Sequence, residues 1–217
     1  NVGDIENSGT LSGILGITAT NTLIGGINNT GLIDALGGIG INTHSGIGTI
    51  TNSGIIKGHQ SIQSEYHSAI VVIDNSGIIE GGINAINNST IGMIQNSGTI
   101  GSISAIHFST TNSINNTGTI KDEITGIRVE ENSHVGNIDN SGTIEGGLAA
   151  ILAPEADSNS IYSINLLGTD ARLIGDVYAP SATVAIKYGA VFSTENAYAV
   201  QGFIIENGAM LNMGIGN

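Results

Sequence analysis

Two of the five histidines recur at one position of a repeated pattern, which makes them the first candidates for chemistry. His44 and His67 follow the same motif at the same distance in consecutive repeats, and Glu65 lies close to His67. Two imidazoles on adjacent coils can bind a transition metal. The pattern fixes no third ligand, because the next repeat offers Asn88 or Thr90. We therefore expect two exposed histidines and no metal or other cofactor.

Catalytic residue patterns are weak in this chain. It has no Cys and no Gly-x-Ser-x-Gly sequence, so a nucleophilic enzyme is not predicted. Acidic pairs at 122–123 and 130–131 flank Arg128, and carboxylates of this kind serve glycosidases. The repeats contain only Tyr66 and Phe108 as aromatic platforms for sugars. We interpret the acidic group as a solvated loop, expect no catalytic residues, and keep a glycan-degrading enzyme as an alternative.

The composition excludes several classes of partner. Acidic residues outnumber basic ones 18 to 5, which gives a net charge of −13. Nucleic acids and anionic membranes both need neutralising Lys and Arg, so we expect neither as a partner. No apolar run is long enough to cross a membrane as a helix, so we expect no direct membrane insertion by this segment. Aromatic residues make up 4% of the chain, and the core must therefore be aliphatic.

One motif organises the first two thirds of the chain. Asn-Ser/Thr-Gly, with an apolar residue two positions after the Gly, recurs seven times at spacings of 20 to 24 residues. Such a period indicates one unit stacked on its own copies. Each unit has two or three short apolar runs and no helical pattern, so the fold is predicted to be all-β, a right-handed parallel β-helix. The motif asparagines are Asn7, Asn29, Asn52, Asn75, Asn96, Asn116 and Asn140.

Columns of identical residue types predict the inside of each coil. An Ile lies two positions before every motif Asn, and a Leu or Ile lies two positions after every motif Gly. We predict that both columns point inward. Stacked coils lie about 4.8 Å apart, so the motif amides can form an internal ladder, although Asn is also simply a good turn former. The motif Gly is predicted to supply a backbone position with positive φ.

Charged residues also recur in register. Three positions after the motif Gly, Asp34, Lys57 and Glu80 follow one another on consecutive coils, and so do Lys121 and Glu145. Opposite charges on adjacent strands attract, whereas like charges would repel. This order supports the proposed alignment of the coils.

The motif ends near Pro154, which divides the chain into two regions. Residues 1–153 are predicted to be regular coils, and residues 154–217 to be roughly three atypical C-terminal coils of the same β-helix, with a more aromatic core. The total is then roughly ten coils. We expect the chain to be a piece of a longer rod.

Variable segments between the repeated elements are the best candidates for recognition, because loops on a rigid scaffold commonly carry binding residues. These segments are 59–68, 107–112 and 129–134, and neutral drift at exposed positions is the alternative explanation. The first segment combines Tyr, His and Glu. The candidate contact residues are Gln60, Glu65, Tyr66, His67 and, on the neighbouring coil, His44.

Residues 1 to about 150 resemble the Ile-x-Asn-Ser-Gly-Thr-Ile-x-Gly units in passenger regions of bacterial autotransporters, the type V secreted surface proteins. The resemblance implies a rod at the bacterial cell surface, either anchored to the outer membrane or secreted. It also implies a separate C-terminal β-barrel, which would lie beyond Asn217.

A passenger of this kind is expected to act in adhesion or self-association without catalysis. Its expected partners are a host receptor, a glycan, a matrix protein, or the same protein on neighbouring cells. A passive stalk that displays an upstream protease or esterase domain is the alternative, and a glycan-degrading β-helix enzyme is a second one.

Overall fold

The computed structural model describes residues 1–154, 158–194 and 196–213. The chain forms a right-handed parallel β-helix of about nine turns, one fewer than the roughly ten coils expected. A single 21-stranded parallel sheet winds around the axis, and β21 (Val191–Thr194) pairs separately with β23 (Met210–Met213). In the part of the chain that the structure describes, no helix is long and apolar enough to cross a membrane.

Each turn has three flat faces. The strands that lie only on the first face, which ends at the motif Asn, are β1 (Ile5–Asn7), β3 (Leu23–Asn29), β5 (Gly46–Asn52), β8 (Ala69–Asn75), β11 (Thr90–Asn96), β14 (Thr110–Asn116), β17 (His134–Asn140) and β19 (Ser160–Leu166). Those only on the second face, after the motif Gly, are β6 (Ile55–Lys57), β9 (Ile78–Ile79), β12 (Thr99–Ile100) and β15 (Thr119–Asp122). Those only on the third face are β7 (Gln60–Glu65), β10 (Ile83–Ile86), β13 (Ile103–Ile106) and β16 (Thr125–Val129).

Five of the longer strands connect or extend these faces. Three of them, β2, β4 and β18, run over the second and third faces, β20 covers parts of all three, and β22 covers the third and first. Their bounds are β2 (Thr10–Thr20), β4 (Leu32–Asn42), β18 (Thr143–Leu152), β20 (Arg172–Ile186) and β22 (Tyr198–Ile205). The strands after residue 154 therefore continue the same stack, while the division at 153/154 stays a prediction.

The core consists of stacked isoleucines, as the repeat predicts. Ile27, Ile50 and Ile73 are in register on consecutive coils of the first face. The second-face column contains Ile56 and the third-face column Ile62, and both side chains are fully buried. Branched Cβ atoms suit a pleated wall, and each buried Ile contributes about 1.5–3 kcal/mol. The repeated apolar positions therefore account for most of the driving force for folding.

The motif asparagines form the predicted internal ladder. The Nδ2 atom of each one, from Asn7 to Asn116, donates to the Oδ1 atom of the next at 2.7–2.8 Å. Each Nδ2 from Asn29 onward also donates a hydrogen bond to the carbonyl of its own motif Gly. It donates a further bond to a carbonyl of the next coil, as Asn52 does to Ile78 at 3.2 Å. The ladder ends at Asn140 because Leu166 occupies the next place in register.

The motif glycines are needed for a different reason from the one predicted. Positive φ was expected there, and that expectation was wrong, because none of these seven glycines has φ in the left-handed region. A Cβ atom on Gly54 would instead overlap the carbonyl oxygen of Gly31 on the preceding coil, and a Cβ on Gly77 would overlap that of Gly54. Close approach of adjacent turns therefore selects Gly at this position.

The charged column forms ion pairs in the expected register. Lys57 lies 3.5 Å from Glu80, and Lys121 lies 2.8 Å from Glu145, while Asp34 is aligned with Lys57. These side chains are partly exposed, so each pair contributes less than about 1 kcal/mol. The pairs confirm the alignment of the coils.

The C-terminal coils contain an aromatic cluster. The ring centroids of Phe192 and Tyr198 lie 6.1 Å apart, and those of Tyr198 and Phe203 lie 5.8 Å apart. Phe192 is fully buried, so the more aromatic core expected for this region is present. Three other tyrosines of the same region, Tyr162, Tyr178 and Tyr188, are exposed.

Removing one amide from the ladder should destabilise the whole rod. We expect Asn96→Ala to lower the free energy of unfolding by about 3 kcal/mol, since it leaves a buried acceptor on Asn116 without its donor and removes the bonds to two carbonyls. Gln95→Ala, an exposed neighbour in the same strand, should stay within about 0.5 kcal/mol of wild type. Urea unfolding followed by circular dichroism measures both, and equal effects would contradict the role of the ladder.

The close approach of the motif glycines gives a second prediction with an internal control. Gly77→Ala should cost about 2 kcal/mol or more, because the added methyl overlaps the Gly54 carbonyl. Gly9→Ala changes the same motif position in the first coil, where nothing lies within 4 Å of the new Cβ, and should be nearly neutral. Thermal unfolding of the two variants compares them, and a similar loss in both would show that backbone conformation, not contact, selects Gly.

Candidate functional site

The corner between the third and first faces has an unusual backbone. Among the described residues, five coils contain two consecutive residues with left-handed φ values at this corner, and Asn21 and Ser158 have such values at the same corner of two other coils. The N–H of His44 donates to the carbonyl of Tyr66 at 3.0 Å, and that of His67 donates to Asn87 at 3.2 Å, so adjacent corners are bonded to each other. The pairs are Thr43-His44, Tyr66-His67, Asn87-Asn88, His107-Phe108 and Glu131-Asn132.

A column of buried serines holds this corner in place. The N–H of Ser45 donates to the Oγ atom of Ser68 at 3.1 Å, and that of Ser68 donates to Ser89 at 3.3 Å. The same contact continues through Ser109 and Ser133. We did not predict this column, although a Ser lies seven residues before the next motif Asn in each of these coils. That constant offset is the signal that would have revealed it.

Exposed ring side chains are concentrated on this corner, and we refer to them together as the ring row. They include both aromatic residues of the first 153 positions and three of the five histidines. Tyr66 is 51% exposed and Phe108 is 60% exposed. The ring row consists of His44, Tyr66, His67, His107 and Phe108.

The ring row contains one stacked pair of rings and one histidine that contacts a carboxylate. The rings of His44 and His67 lie 5.4 Å apart at an interplanar angle of 19°, so the predicted proximity of these two histidines is present. Farther along the row, the Nε2 atom of His107 contacts the carboxylate of Glu131 on the next coil. Among the residues that the structure describes, no group of three or more His, Cys, Asp or Glu side chains is placed to hold a metal ion.

The predicted contact patch is only partly assembled. Glu65, Tyr66 and His67 adjoin one another at the corner beside His44, but Gln60 begins strand β7 at its other end, about 17 Å away at 3.3 Å per residue. Residues 60–65 are a strand, so the prediction of a loop over 59–68 was wrong. Sequence reasoning missed the strand because two of its inward residues are small and polar, Ser61 and Ser64, and both are fully buried.

Variation in coil length occurs at a different corner from the one predicted. The segments 107–112 and 129–134 consist of a left-handed pair with the adjoining residues of regular strands, and the distance from this pair to the motif Asn is the same in each coil. The connection between the second and third faces is the part of the coil that changes in length. Residues 121–126 form a long connection and residues 101–102 a short one. The corner that carries the ring row is therefore at a constant distance from the motif Asn in these coils.

A groove of about 310 Å³ extends from the long corner, at Asp122 and Ile124, across the outer surface of the third face to Arg128 and Glu130. Its acidic side chains bond within the protein: Asp122 accepts the N–H groups of Ile124 and Thr125 at 2.8 and 3.0 Å, and Glu130 pairs with Arg128. The hydrogen bond from Arg128 to Glu130 raises the pKa of the guanidinium above its ordinary value. These carboxylates support local structure in the arrangement observed.

No family model, no curated protein and no solved structure matches this chain. Its function must therefore be inferred from the geometry of its own residues.

The C-terminal coils contain a carboxylate with a perturbed pKa. Glu206 accepts hydrogen bonds from Lys187 Nζ at 3.0 Å and from the Tyr188 N–H at 2.9 Å. The bond from Lys187, followed by the bond from Tyr188, lowers the pKa of Glu206 below its ordinary value of 4.5. This interaction joins adjacent coils at the edge of the first face.

The lowered pKa of Glu206 predicts a dependence of stability on pH. The carboxylate stabilises the fold above the pKa of the unfolded chain, and this contribution is lost as the pH falls through the lower folded-state pKa. Glu206→Gln should therefore lower the melting temperature slightly at neutral pH, with the difference from wild type vanishing in acid below pH 4.5.

Lys187→Met should have a similar effect, because it removes the main cause of the shift. Melting curves recorded across the acidic range test the pair, and a difference from wild type that persists at low pH would contradict the assignment.

Proposed function

We propose that this chain is a segment of the passenger of a bacterial type V secreted surface protein, and that it makes adhesive contacts through the ring row. The repeat period and the internal asparagine ladder support a passenger rod of this class. In this proposal the rod lies at the cell surface. Its partner is a host receptor, a glycan or a matrix protein, or the same rod on a neighbouring cell.

The observation that carries the proposal is the kind of residue found at the left-handed corner. Tyr66 has φ of 50° and Phe108 has φ of 61°, values that cost an L-residue roughly 1–2 kcal/mol. Asn is far more common in this conformation, and the chain uses Asn87 and Asn88 at the same place on the intervening coil. Stability alone would favour Asn at every coil, so exposed aromatic rings at strained positions favour a binding role.

The surroundings of the row suit a contact surface. Aromatic side chains are enriched at the centres of protein interfaces, where they bury a large area at little entropic cost. The serine column and the corner-to-corner hydrogen bonds fix the backbone beneath the rings. A partner therefore meets a preorganised line of rings, which reduces the entropic penalty of binding.

The proposal contains no catalytic step. One carboxylate of each acidic pair near Arg128 is engaged: Asp122 accepts backbone N–H groups, and Glu130 is bonded to the guanidinium. A passive stalk and a glycan-degrading enzyme remain the alternatives, and the experiment below separates them.

Replacing the whole ring row by Asn tests the proposal with little risk to the fold. The replacement copies the natural Asn87-Asn88 pair onto its neighbours, in a conformation that Asn accepts readily. We expect the variant to keep its circular dichroism spectrum and to lose at least about tenfold in affinity, because interface aromatics are typical hot spots. The substitutions are His44→Asn, Tyr66→Asn, His67→Asn, His107→Asn and Phe108→Asn.

The control variant changes exposed residues away from this corner, with His59→Asn, Thr49→Ser and Thr51→Ser. Binding to immobilised matrix proteins, glycans and epithelial cells is measured together with sedimentation velocity, which detects self-association. Binding that is lost only in the ring-row variant supports the proposal. A folded wild-type chain that stays monomeric and binds nothing favours the stalk, and turnover of a polysaccharide favours the enzyme.

A further inference from the structure

The outer surface of the first face has two columns of polar side chains that run along the rod axis. Asn137 accepts a hydrogen bond from the Ser163 hydroxyl of the next coil at 2.9 Å, and Asp139 accepts one from the Asn165 amide at 2.6 Å. Thr183 lies one coil beyond Ser163 in register. We refer to these columns as the polar track, which consists of Ser113, Asn137, Ser163 and Thr183 in one column and Asn115, Asp139 and Asn165 in the other.

An open groove of about 380 Å³ lies at the C-terminal end of the polar track. Tyr162 forms one side of it and is 77% exposed. Glycine occupies the aligned position in several other coils, for example Gly136 in the preceding coil. The Tyr162 ring therefore projects from a surface that has no side chain at this position in those coils. The groove is lined by Tyr162, Asn165, Thr183, Lys187, Gln201 and Ile204.

The groove keeps polar atoms available for a ligand. The Thr183 hydroxyl donates to Gln201 Oε1 at 3.3 Å, while the amide nitrogen of Gln201 bonds to no described residue. The side-chain nitrogen of Asn165 donates to Asp139. The side-chain oxygen of Asn165 is likewise unpaired among the described residues. Gln201 therefore has a free donor and Asn165 a free acceptor, and the Thr183 hydroxyl, whose proton is donated to Gln201, can still accept a hydrogen bond.

This combination of groups suits a sugar. Pyranose hydroxyls both donate and accept, as do the side chains of Asn, Gln and Thr. The C–H groups on one face of a pyranose are weakly positive and pack on the negative face of an aromatic ring, which Tyr162 presents. Coils repeat at about 4.8 Å, a distance comparable to one sugar unit, so a glycan along the axis would meet about one coil of the polar track at each sugar unit.

The charges around the groove select a neutral ligand. Lys187 is paired with Glu206 at 3.0 Å, and Asp139 is bonded to Asn165, so neither charge is free for an ionic ligand. The net charge of −13 further disfavours an anionic polysaccharide. We propose that the groove at Tyr162 binds an unbranched, neutral oligosaccharide that lies along the rod axis. This site is separate from the ring row and is independent of the adhesive role proposed for it.

Titration of the full 217-residue chain with defined oligosaccharides tests this inference. The probes are linear tri- to hexasaccharides of neutral glucans, mannan, galactan and N-acetylglucosamine, with oligogalacturonate as the anionic comparison. Isothermal titration calorimetry measures affinity, and tyrosine fluorescence, which is not masked because the chain has no Trp, reports contact with the ring. We expect at least one neutral series to bind, with affinity increasing with chain length, and oligogalacturonate to bind more weakly.

Variants then locate the site. Tyr162→Ala should weaken binding at least about tenfold, while Tyr162→Phe should retain it because the stacking face remains. Gln201→Ala should weaken binding several-fold and gives a second probe of the same groove. Tyr178→Ala removes an exposed tyrosine from another face and is the matched control.

The inference is overturned if no neutral oligosaccharide binds, if the anionic one binds better, or if Tyr162→Ala and Gln201→Ala both bind like wild type. Loss of oligosaccharide binding in the ring-row variant, with the groove variants unchanged, would also overturn it. That last result would place the sugar site at the ring row and would be consistent with the adhesive role proposed for it.

Discussion

The hydrogen-bonded register between adjacent coils is the constraint on which the rest of the structure depends. The buried amides connect each coil to the next at 2.7–2.8 Å. A slip of one residue would align each amide with an outward-facing residue, such as Thr51 or Ser53 for Asn29, and leave it unsatisfied. Once this register is fixed, the isoleucine columns, the ion pairs and the left-handed corners repeat at the same place on every turn. The ring row and the polar track are both products of that repetition.

The sequence predicted the parts of the structure in which one residue type recurs at one place. The motif period predicted the coil, the Ile columns predicted the core, and the recurring Asn predicted the ladder. The left-handed corner was missed because its own residues differ from coil to coil, from Thr43-His44 to Asn87-Asn88, and only the serine that follows each pair recurs. Gly was assigned a positive φ from its usual preference, whereas contact between neighbouring turns, a property of the stack, is what selects it.

The candidate sites were less predictable than the fold for a related reason. Proximity of His44 and His67 followed from the repeat, because equal offsets in adjacent coils become neighbouring positions. The groove beside Tyr162 lies where the motif has ended, and its lining comes from three strands whose register is set by packing. Exposure is likewise a property of the assembled surface: Tyr162 and Tyr198 are the same residue type, yet one projects into solvent and the other packs between two phenylalanines.

The asparagine ladder also gives the rod a dipole along its axis. Each Nδ2 from Asn29 onward is bonded to backbone carbonyls, which fixes the orientation of the amide, and every link donates from one coil to the following one. The buried serines accept from the preceding coil in the same sense. Aligned amide dipoles add and polarise one another, in the way that peptide dipoles add along an α-helix. The two ends of the stack are therefore chemically inequivalent, with side-chain acceptors facing the first coil and donors facing the last.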